Sequence, residues 1–237
     1  YTAAGYPYPA RYVEQRELLG QAHAIWLARE ALEGPALIIF VDTIFEADLC
    51  DLETSGLDGV LYVREVDDPR RFGVAILDDE GMVARLVEKP ADMDNRLAVV
   101  GVYYVHDSER LIRAIEELME RNIQTKGEYY LADAFSLMIE EGARFGVREV
   151  SVWEDTGTPQ AVLQTNRYLL EHGSDNDGKV AAYNSVIIPP VYIADSARVE
   201  HSIVGPYVTV AEHAVVRNSI VRDSIIGEAA YLDCTML

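Results

Sequence analysis

Four side chains of this sequence have the types that chemistry on phosphate groups requires. Asp42 and Asp155 each follow an apolar segment, and Glu88 stands next to Lys89 at the end of a third. Carboxylate oxygens are the ligands that Mg²⁺ prefers, and an ammonium group balances phosphate charge as a point charge. The set suits Mg²⁺-assisted phosphate chemistry. Taken singly, each acidic residue has a plainer interpretation, because carboxylates at strand ends are mostly solvated or cap a turn.

The apolar run 35–41 is the element that would position Asp42. It shows no alternation of apolar and polar residues, so it predicts a strand buried on both faces, as in a parallel sheet. Ligands bind at the carboxyl ends of such strands, which is where Asp42 stands. A helical pattern from Gly20 to Glu33 precedes the run and predicts a β-α-β unit.

The chain from residue 59 to residue 170 continues to alternate strand and helix patterns, which predicts the α/β class. An acidic turn at 78–81 predicts a hairpin, and Ser108 is the expected N-cap of the next helix. The predicted strands are 10–15, 59–64, 73–77, 82–87, 98–105 and 145–153. One predicted helix follows the N-cap Ser108, and the others begin at Tyr130 and at Thr158 or Pro159.

The composition changes at His172, where a short polar segment with two glycines predicts a linker. After it, aliphatic residues recur at every sixth position, a period that predicts a parallel β-helix with the repeated residue pointing inward. Several unrelated hairpins are the alternative. The predicted domains are 1–171, a linker at 172–180 and a β-helix at 181–237. The predicted inward series has three registers: Ile187, Ile193 and Val199; Val204, Val210 and Val216; and Ile220, Ile226 and Leu232.

The charge and the cysteine content restrict the partners and the compartment. Forty acidic and twenty basic residues give a net charge of −20, which argues against nucleic acid and anionic membrane as partners. Cys50 and Cys234 lack metal-ligand spacing, and a reducing cytoplasm fits them best. No apolar run approaches the roughly 18 residues of a membrane span.

Seven short motifs occur in the order that is seen in sugar nucleotidyltransferases. The sequence most resembles long-form glucose-1-phosphate thymidylyltransferases, which carry a left-handed β-helix after a Rossmann-like domain with a mixed, mainly parallel sheet. The resemblance covers the chain from Arg11 onward. The motifs are QRELLGQAHA at 15–24, VDTIF at 41–45, RFGV at 71–74, EKP at 88–90, GVYY at 101–104, KGE at 126–128 and DTGT at 155–158.

The resemblance implies a role for each matching residue. Gln15 and Gly20 are similar to residues that bind the nucleotide base, and a Gln at position 15 favours thymine or uracil. Asp42 and Asp155 are similar to the Mg²⁺ ligands, and Lys89 to the lysine that holds the sugar phosphate. The remaining sugar-phosphate residues implied by the resemblance are Gly73, Glu88, Gly101, Lys126 and Glu128.

The implied reaction is attack of a sugar 1-phosphate on the α-phosphate of a nucleoside triphosphate, with pyrophosphate as leaving group. The implied substrates are dTTP or UTP with glucose 1-phosphate. A regulatory nucleotide-sugar-binding subunit and a bifunctional protein with an acyltransferase β-helix are the alternatives, although His201 and His213 look like exposed corner residues. We also expect a homo-oligomer, with the β-helix as assembly surface.

The chain departs from the family pattern at its start. The Gly-rich loop and the first β-α-β unit of the family have no counterpart here, so we expect a native chain that is longer at that end, or a binding module that has lost activity. Val41 stands where relatives usually have Gly. The hexad series stops at Leu237 without a polar cap, which predicts more coils, a missing tail or another subunit.

Overall fold

The computed structural model describes residues 8–176 and 182–237. Contacts divide the chain into two units, Tyr1–Trp153 and Glu154–Leu237. In the described part of the chain, no helix is long and apolar enough to cross a membrane. The segment 10–15, predicted as a short strand, has no regular secondary structure.

The first unit is built on a mixed sheet with the strand order β5-β4-β6-β3-β7, and β1 also pairs with β6. The β3–β7 pair is parallel, and the other pairings in the described part of this sheet are antiparallel. The strands are β1 (Ala36–Ile39), β2 (Thr43–Glu46), β3 (Gly59–Glu65), β4 (Gly73–Leu77), β5 (Val83–Glu88), β6 (Leu97–Val105), β7 (Phe145–Glu149) and β8 (Val152–Asp155).

The prediction for β1 was wrong in two respects. β1 pairs antiparallel with β6, with Leu37 opposite Tyr104 and Ile39 opposite Val102. Its side chains alternate between half-buried and exposed, and Leu37 and Ile39 are the exposed ones. An unbroken apolar run therefore did not indicate burial on both faces here.

Helices α2 (Ser108–Glu120) and α3 (Leu131–Glu140) cover one face of the sheet and contribute to its largest hydrophobic core. Apolar residues of α2 recur at helical spacing, and Leu111, Ile115 and Leu118 are fully buried. Each such side chain contributes about 1.5–3 kcal/mol when it leaves water. The helices are α1 (Gln21–Leu27), α2 (Ser108–Glu120), α3 (Leu131–Glu140) and α4 (Pro159–Leu169), with short 3₁₀ turns at Arg29–Ala31 and Pro69–Arg71 and a π-type turn at Leu170–Ser174.

Helix caps and strand breaks differ in detail from the sequence predictions. The N-cap of α2 is Asp107, whose carboxylate accepts from the Arg110 N–H at 3.0 Å, rather than Ser108, which is buried inside the helix. α4 begins at Pro159, one of the two predicted starts, and Thr158 is its N-cap. The single strand predicted at 145–153 is two strands, β7 and β8.

The second unit contains a three-sided parallel solenoid, which fits the predicted left-handed β-helix. Partners in successive coils are 17 or 16 residues apart, as in Val191↔Val208↔Ser224. Its strands are β9 (Ala182–Tyr183), β10 (Val186–Ile187), β11 (Val191–Ile193), β12 (Arg198–Glu200), β13 (Ile203–Val204), β14 (Val208–Val210), β15 (Val215–Arg217), β16 (Ile220–Val221), β17 (Ser224–Ile226) and β18 (Tyr231–Asp233).

One residue of the predicted inward series is wrong. Ile220 faces outward with 38% of its surface exposed, and Val221 is fully buried in its place. Val204 pairs with Val221, so five residues rather than six separate the inward residue of this strand from Ile226. A shift of one residue moves a strand side chain to the opposite face, so the hexad count failed at this coil.

Candidate functional site

Glu88 and Lys89 lie at the end of β5, where the chain leaves the sheet. The ammonium Nζ of Lys89 is 3.8 Å from Oε1 of Glu88 and donates to the hydroxyl of Tyr130 at 3.3 Å. Only 13% of the Glu88 side chain is exposed, against 36% for Lys89. Lys89 has a φ of +48°, a left-handed conformation that costs about 1–3 kcal/mol for a residue with a side chain. Such strain is typical of functional sites.

Burial dominates the electrostatics of Glu88. It raises the pKa of the Glu88 carboxyl above its usual range, although the Lys89 ammonium acts in the opposite direction. Asp133 and Glu128 raise the pKa of Glu88 further, and Lys126 lowers it. The pKa of Lys89 is also raised, chiefly because the Tyr130 hydroxyl accepts a hydrogen bond from the charged form. Both lysines therefore stand in one cluster with the carboxylates of Glu88, Glu128 and Asp133.

A two-residue turn carries Lys126 into this cluster. Thr125 and Glu128 exchange two backbone hydrogen bonds of 3.0 and 3.1 Å, and Lys126 and Gly127 between them have φ values of +54° and +84°. Positive φ at both central residues is the mark of a type I′ turn. The Thr125 hydroxyl donates to Asp133 at 3.0 Å and ties the turn to α3.

Gln15 and Gly20 line a cleft of about 500 Å³ beside β1. The Gln15 amide donates to the Gly20 carbonyl at 3.0 Å and lies 3.1 Å from Nδ1 of His23. Glu128 lies in the same cleft and also acts on Glu88 and Lys89. This carboxylate therefore joins the cleft to the lysine cluster.

Gly20 is required by the close approach of two backbone segments. Its φ is +103°, and a Cβ at this position would lie 2.5 Å from the carbonyl oxygen of Tyr129. The Tyr129 carbonyl accepts a hydrogen bond from the Ala22 N–H at 3.1 Å. This bond holds the start of α1 against the segment that precedes α3. Any side chain at position 20 would separate these segments.

The other two predicted glycines lie in different surroundings. A Cβ on Gly73 would lie 2.9 Å from Oε2 of Glu88, so the missing side chain leaves room for that carboxylate. Gly101 has a φ of +81°, and a Cβ at this position would lie 3.0 Å from the ring of Phe40. Its carbonyl accepts from the Phe40 N–H at 2.9 Å. Gly101 therefore shapes the end of β1 next to the cleft.

The predicted metal ligands lie at a turn and at a strand end. Asp42 is exposed in the turn between β1 and β2, and Asp155 ends β8 and accepts from the Gly157 N–H at 3.0 Å. In the part of the chain that the structure describes, no three His, Cys, Asp or Glu side chains are grouped to hold a metal ion. Mg²⁺ commonly takes only one or two protein carboxylates and completes its shell with water and substrate phosphates. The donor chemistry of the two aspartates fits that use.

The sequence patterns missed three residues of the lysine cluster: Thr125, Tyr130 and Asp133. Burial raises the pKa of the Asp133 carboxyl, and the Thr125 hydroxyl opposes this shift. The Lys126-Gly127 pair was the available signal, since a residue followed by Gly between extended segments is typical of a hairpin turn that brings its flanks together.

A family model described as nucleotidyl transferase matches residues 4–172. The chain belongs to this family. Among its relatives, a glucose-1-phosphate thymidylyltransferase of Streptomyces griseus is 32% identical over 92% of this chain and 67% of the relative. The bifunctional protein GlmU of Methanocaldococcus jannaschii is 34% identical over 79% of this chain and 44% of the relative. The low-salt glycan biosynthesis nucleotidyltransferase Agl11 of Haloferax volcanii is 30% identical over 92% of this chain.

A solved structure supports the fold. The crystal structure of a Bacillus anthracis protein assigned as a glucose-1-phosphate thymidylyltransferase matches with a TM-score of 0.54 at 23% identity, over 65% of this chain and 62% of that one. The predicted family, the predicted enzyme class and the α/β domain followed by a β-solenoid are thus confirmed. The chain spans two thirds of the thymidylyltransferase relative and less than half of GlmU.

Proposed function

We propose that this nucleotidyl transferase joins a sugar 1-phosphate, with glucose 1-phosphate favoured, to the nucleotidyl group of dTTP or UTP. Pyrophosphate is the leaving group. The observation that carries the proposal is the cluster of Glu88, Lys89 and Lys126, in which a buried carboxylate and two lysines gather in a member of this family. The similarity to a glucose-1-phosphate thymidylyltransferase favours glucose 1-phosphate and thymidylyl transfer.

In this proposal the Lys89 ammonium holds the sugar phosphate and aims its oxygen at the α-phosphate, with Lys126 as a second cation. Little covalent work falls to the protein, because positioning and charge stabilisation supply most of the catalysis of phosphoryl transfer. Glu88 and Glu128 accept from sugar hydroxyls, and Gly73 and Gly101 keep the adjoining space open. Gln15, whose amide is held by the Gly20 carbonyl, faces the base in the cleft.

Asp42 and Asp155 are the proposed Mg²⁺ ligands. When bound, the ion neutralises the charge that develops on the triphosphate. It also explains how a protein with a net charge of −20 accepts two anionic substrates.

We further propose a cytoplasmic homo-oligomer. Cys50 and Cys234 are both exposed and unpaired, which suits a reducing compartment. The β-solenoid offers a flat face with outward apolar residues on successive coils, which suits the packing of a second copy.

The test is pyrophosphate release by the 237-residue chain with Mg²⁺, glucose 1-phosphate and each nucleoside triphosphate in turn. Variants Asp42→Asn and Asp155→Asn keep the size of each side chain and remove its charge, so both are expected to lose release by a factor of a hundred or so if each carries the metal. The matched control is Asp79→Asn, which alters an exposed acid in the β4–β5 turn.

Release that prefers dTTP or UTP and fails in the two variants supports the proposal. If Asp155→Asn releases pyrophosphate as fast as the wild type does, Asp155 is not a metal ligand. A different result is a wild type that releases no pyrophosphate with any nucleotide while a nucleotide sugar still raises its melting temperature. That result would favour the regulatory-subunit alternative.

A further inference from the structure

Tyr130 is a buried hydroxyl-bearing residue to which the proposed function gives no role. Only 5% of its surface is exposed, and its hydroxyl lies 3.3 Å from Nζ of Lys89. The Lys89 ammonium is also 5.4 Å from the centre of the Tyr130 ring. Tyr130 therefore contacts Lys89 through its hydroxyl oxygen.

The direction of the hydrogen bond leaves the tyrosine proton available. A lysine ammonium has three N–H donors and no lone pair, so the Tyr130 oxygen is the acceptor in this bond. Over residues 8–176 and 182–237, the structure shows no acceptor for the proton of the Tyr130 hydroxyl. A buried hydroxyl normally donates as well as accepts, and an unused donor next to a cation is placed to meet an anion.

We propose that Tyr130 is a second anion-binding residue of the sugar-phosphate site: it positions the Lys89 ammonium and donates its own proton to an oxygen of the same phosphate. This inference rests on the proposed function of Lys89. A phosphate held by one ammonium and one hydroxyl receives two donors from different directions. Because an ammonium alone is a point charge without directional preference, the hydroxyl fixes the orientation in which the phosphate oxygen faces its target.

The chain offers a matched control in the neighbouring tyrosine. Tyr129 is similarly buried, but its hydroxyl donates to Asn122 at 3.1 Å and not toward Lys89. Tyr130→Phe and Tyr129→Phe each remove one oxygen atom from adjacent buried rings. A general loss of stability would affect both variants, whereas loss of a phosphate donor would affect only the first.

The first measurement is the Kd of glucose 1-phosphate by calorimetry for the wild type and the two variants. Tyr130→Phe is expected to weaken binding by about tenfold to a hundredfold, the usual effect of losing a hydrogen bond to a charged group, with Tyr129→Phe unchanged. Wild-type binding that Tyr130→Phe leaves intact overturns this inference and leaves the proposed function standing. A wild type that binds no sugar 1-phosphate overturns the proposed function and this inference together.

The second measurement examines the Tyr130–Lys89 contact without any substrate. The chain has three lysines, Lys89, Lys126 and Lys179, so ¹³C-labelled lysine gives three signals, and Lys89→Gln identifies the one of interest. Loss of the acceptor in Tyr130→Phe is expected to lower the pKa of Lys89 and to leave the Lys126 signal unmoved. A Lys89 titration that is identical in the wild type and in Tyr130→Phe would contradict the contact and overturn the inference.

Discussion

At the scale of single residues, the buried carboxyl group of Glu88 lowers the stability of the protein at neutral pH. Its side chain is largely buried, and its nearest cation lies 3.8 Å away, beyond hydrogen-bond distance. Burial therefore outweighs the attraction of Lys89, and the pKa of Glu88 is raised. A folded-state pKa above the unfolded value means that stability is full at low pH and is lost as the pH rises through the folded pKa.

Replacing Glu88 with Gln should therefore stabilise the protein at neutral pH. The amide keeps the size of the side chain and carries no charge to desolvate. We expect Glu88→Gln to be more stable than the wild type at pH 7 in urea unfolding, and the difference should shrink as the pH falls below the usual value for a glutamate, about 4.3. The same variant should bind the sugar phosphate more weakly, because it loses a charged acceptor.

The control is Glu140→Gln, at an exposed position near the end of α3. This change removes one negative charge and no buried group. A pH profile for Glu88→Gln that matches the profile of Glu140→Gln would show that Glu88 is not held in an unfavourable charged form.

At the scale of secondary-structure elements, a column of serine hydroxyls fixes one corner of the solenoid. The Ser202 hydroxyl accepts from the Ser219 N–H at 3.1 Å, and the Ser219 hydroxyl accepts from the Thr235 N–H at 3.0 Å. The Ser185 hydroxyl accepts from the Ser202 N–H at 3.0 Å. Each hydroxyl satisfies a backbone donor of the next coil at a point where the strands turn, and Asn184, His201, Asn218 and Cys234 just before them have positive φ.

Removal of one hydroxyl from this column should weaken the stack. Ser202→Ala leaves the N–H of Ser219, a residue 2% exposed, without its partner, which costs about 1–3 kcal/mol. Ser224→Ala is the matched control, because the Ser224 hydroxyl donates to the Arg222 carbonyl within its own coil at 2.7 Å. Thermal unfolding followed by circular dichroism should show a lower Tm for the first variant only. Equal Tm values would mean that water replaces the serine column.

Periodicity predicted most of the elements but not their neighbours. Six-residue spacing gave the inward positions of the solenoid except on one strand, where Val221, five residues before Ile226, is buried in place of Ile220. The alternation of strands and helices predicted the α/β class, yet the pairing of β1 depended on which strand met it in space. In the candidate site, motifs indicated Glu88 and Lys89, but nothing in the spacing indicated that Tyr130 would reach Lys89 from 41 positions away.

At the scale of the whole molecule, one solenoid face bears an outward apolar column. Val186, Ile203 and Ile220 are partners in successive coils, and Met236 forms a bridge with Ile220. Their exposed fractions are 55, 37, 38 and 75%. Another face instead places charges outward, with Arg217 and Glu200 paired at 2.9 Å. A contiguous apolar column on a flat surface is typical of a contact surface, and the proposed homo-oligomer would bury it between copies.

A single charge placed in this column should therefore disperse the oligomer. Ile203→Glu puts a carboxylate among apolar side chains, and we expect light scattering after gel filtration to show a mass close to 26.4 kDa, the mass of one chain, where the wild type shows a multiple of it. Arg198→Gln is the control, because it lowers the net charge by the same one unit at an exposed position on β12.

Each copy carries a net charge of −20, so salt should strengthen wild-type association by screening the repulsion between copies. A wild type that runs as a single chain at every salt concentration would refute the proposed assembly, and an Ile203→Glu variant that stays assembled would move the contact to another surface.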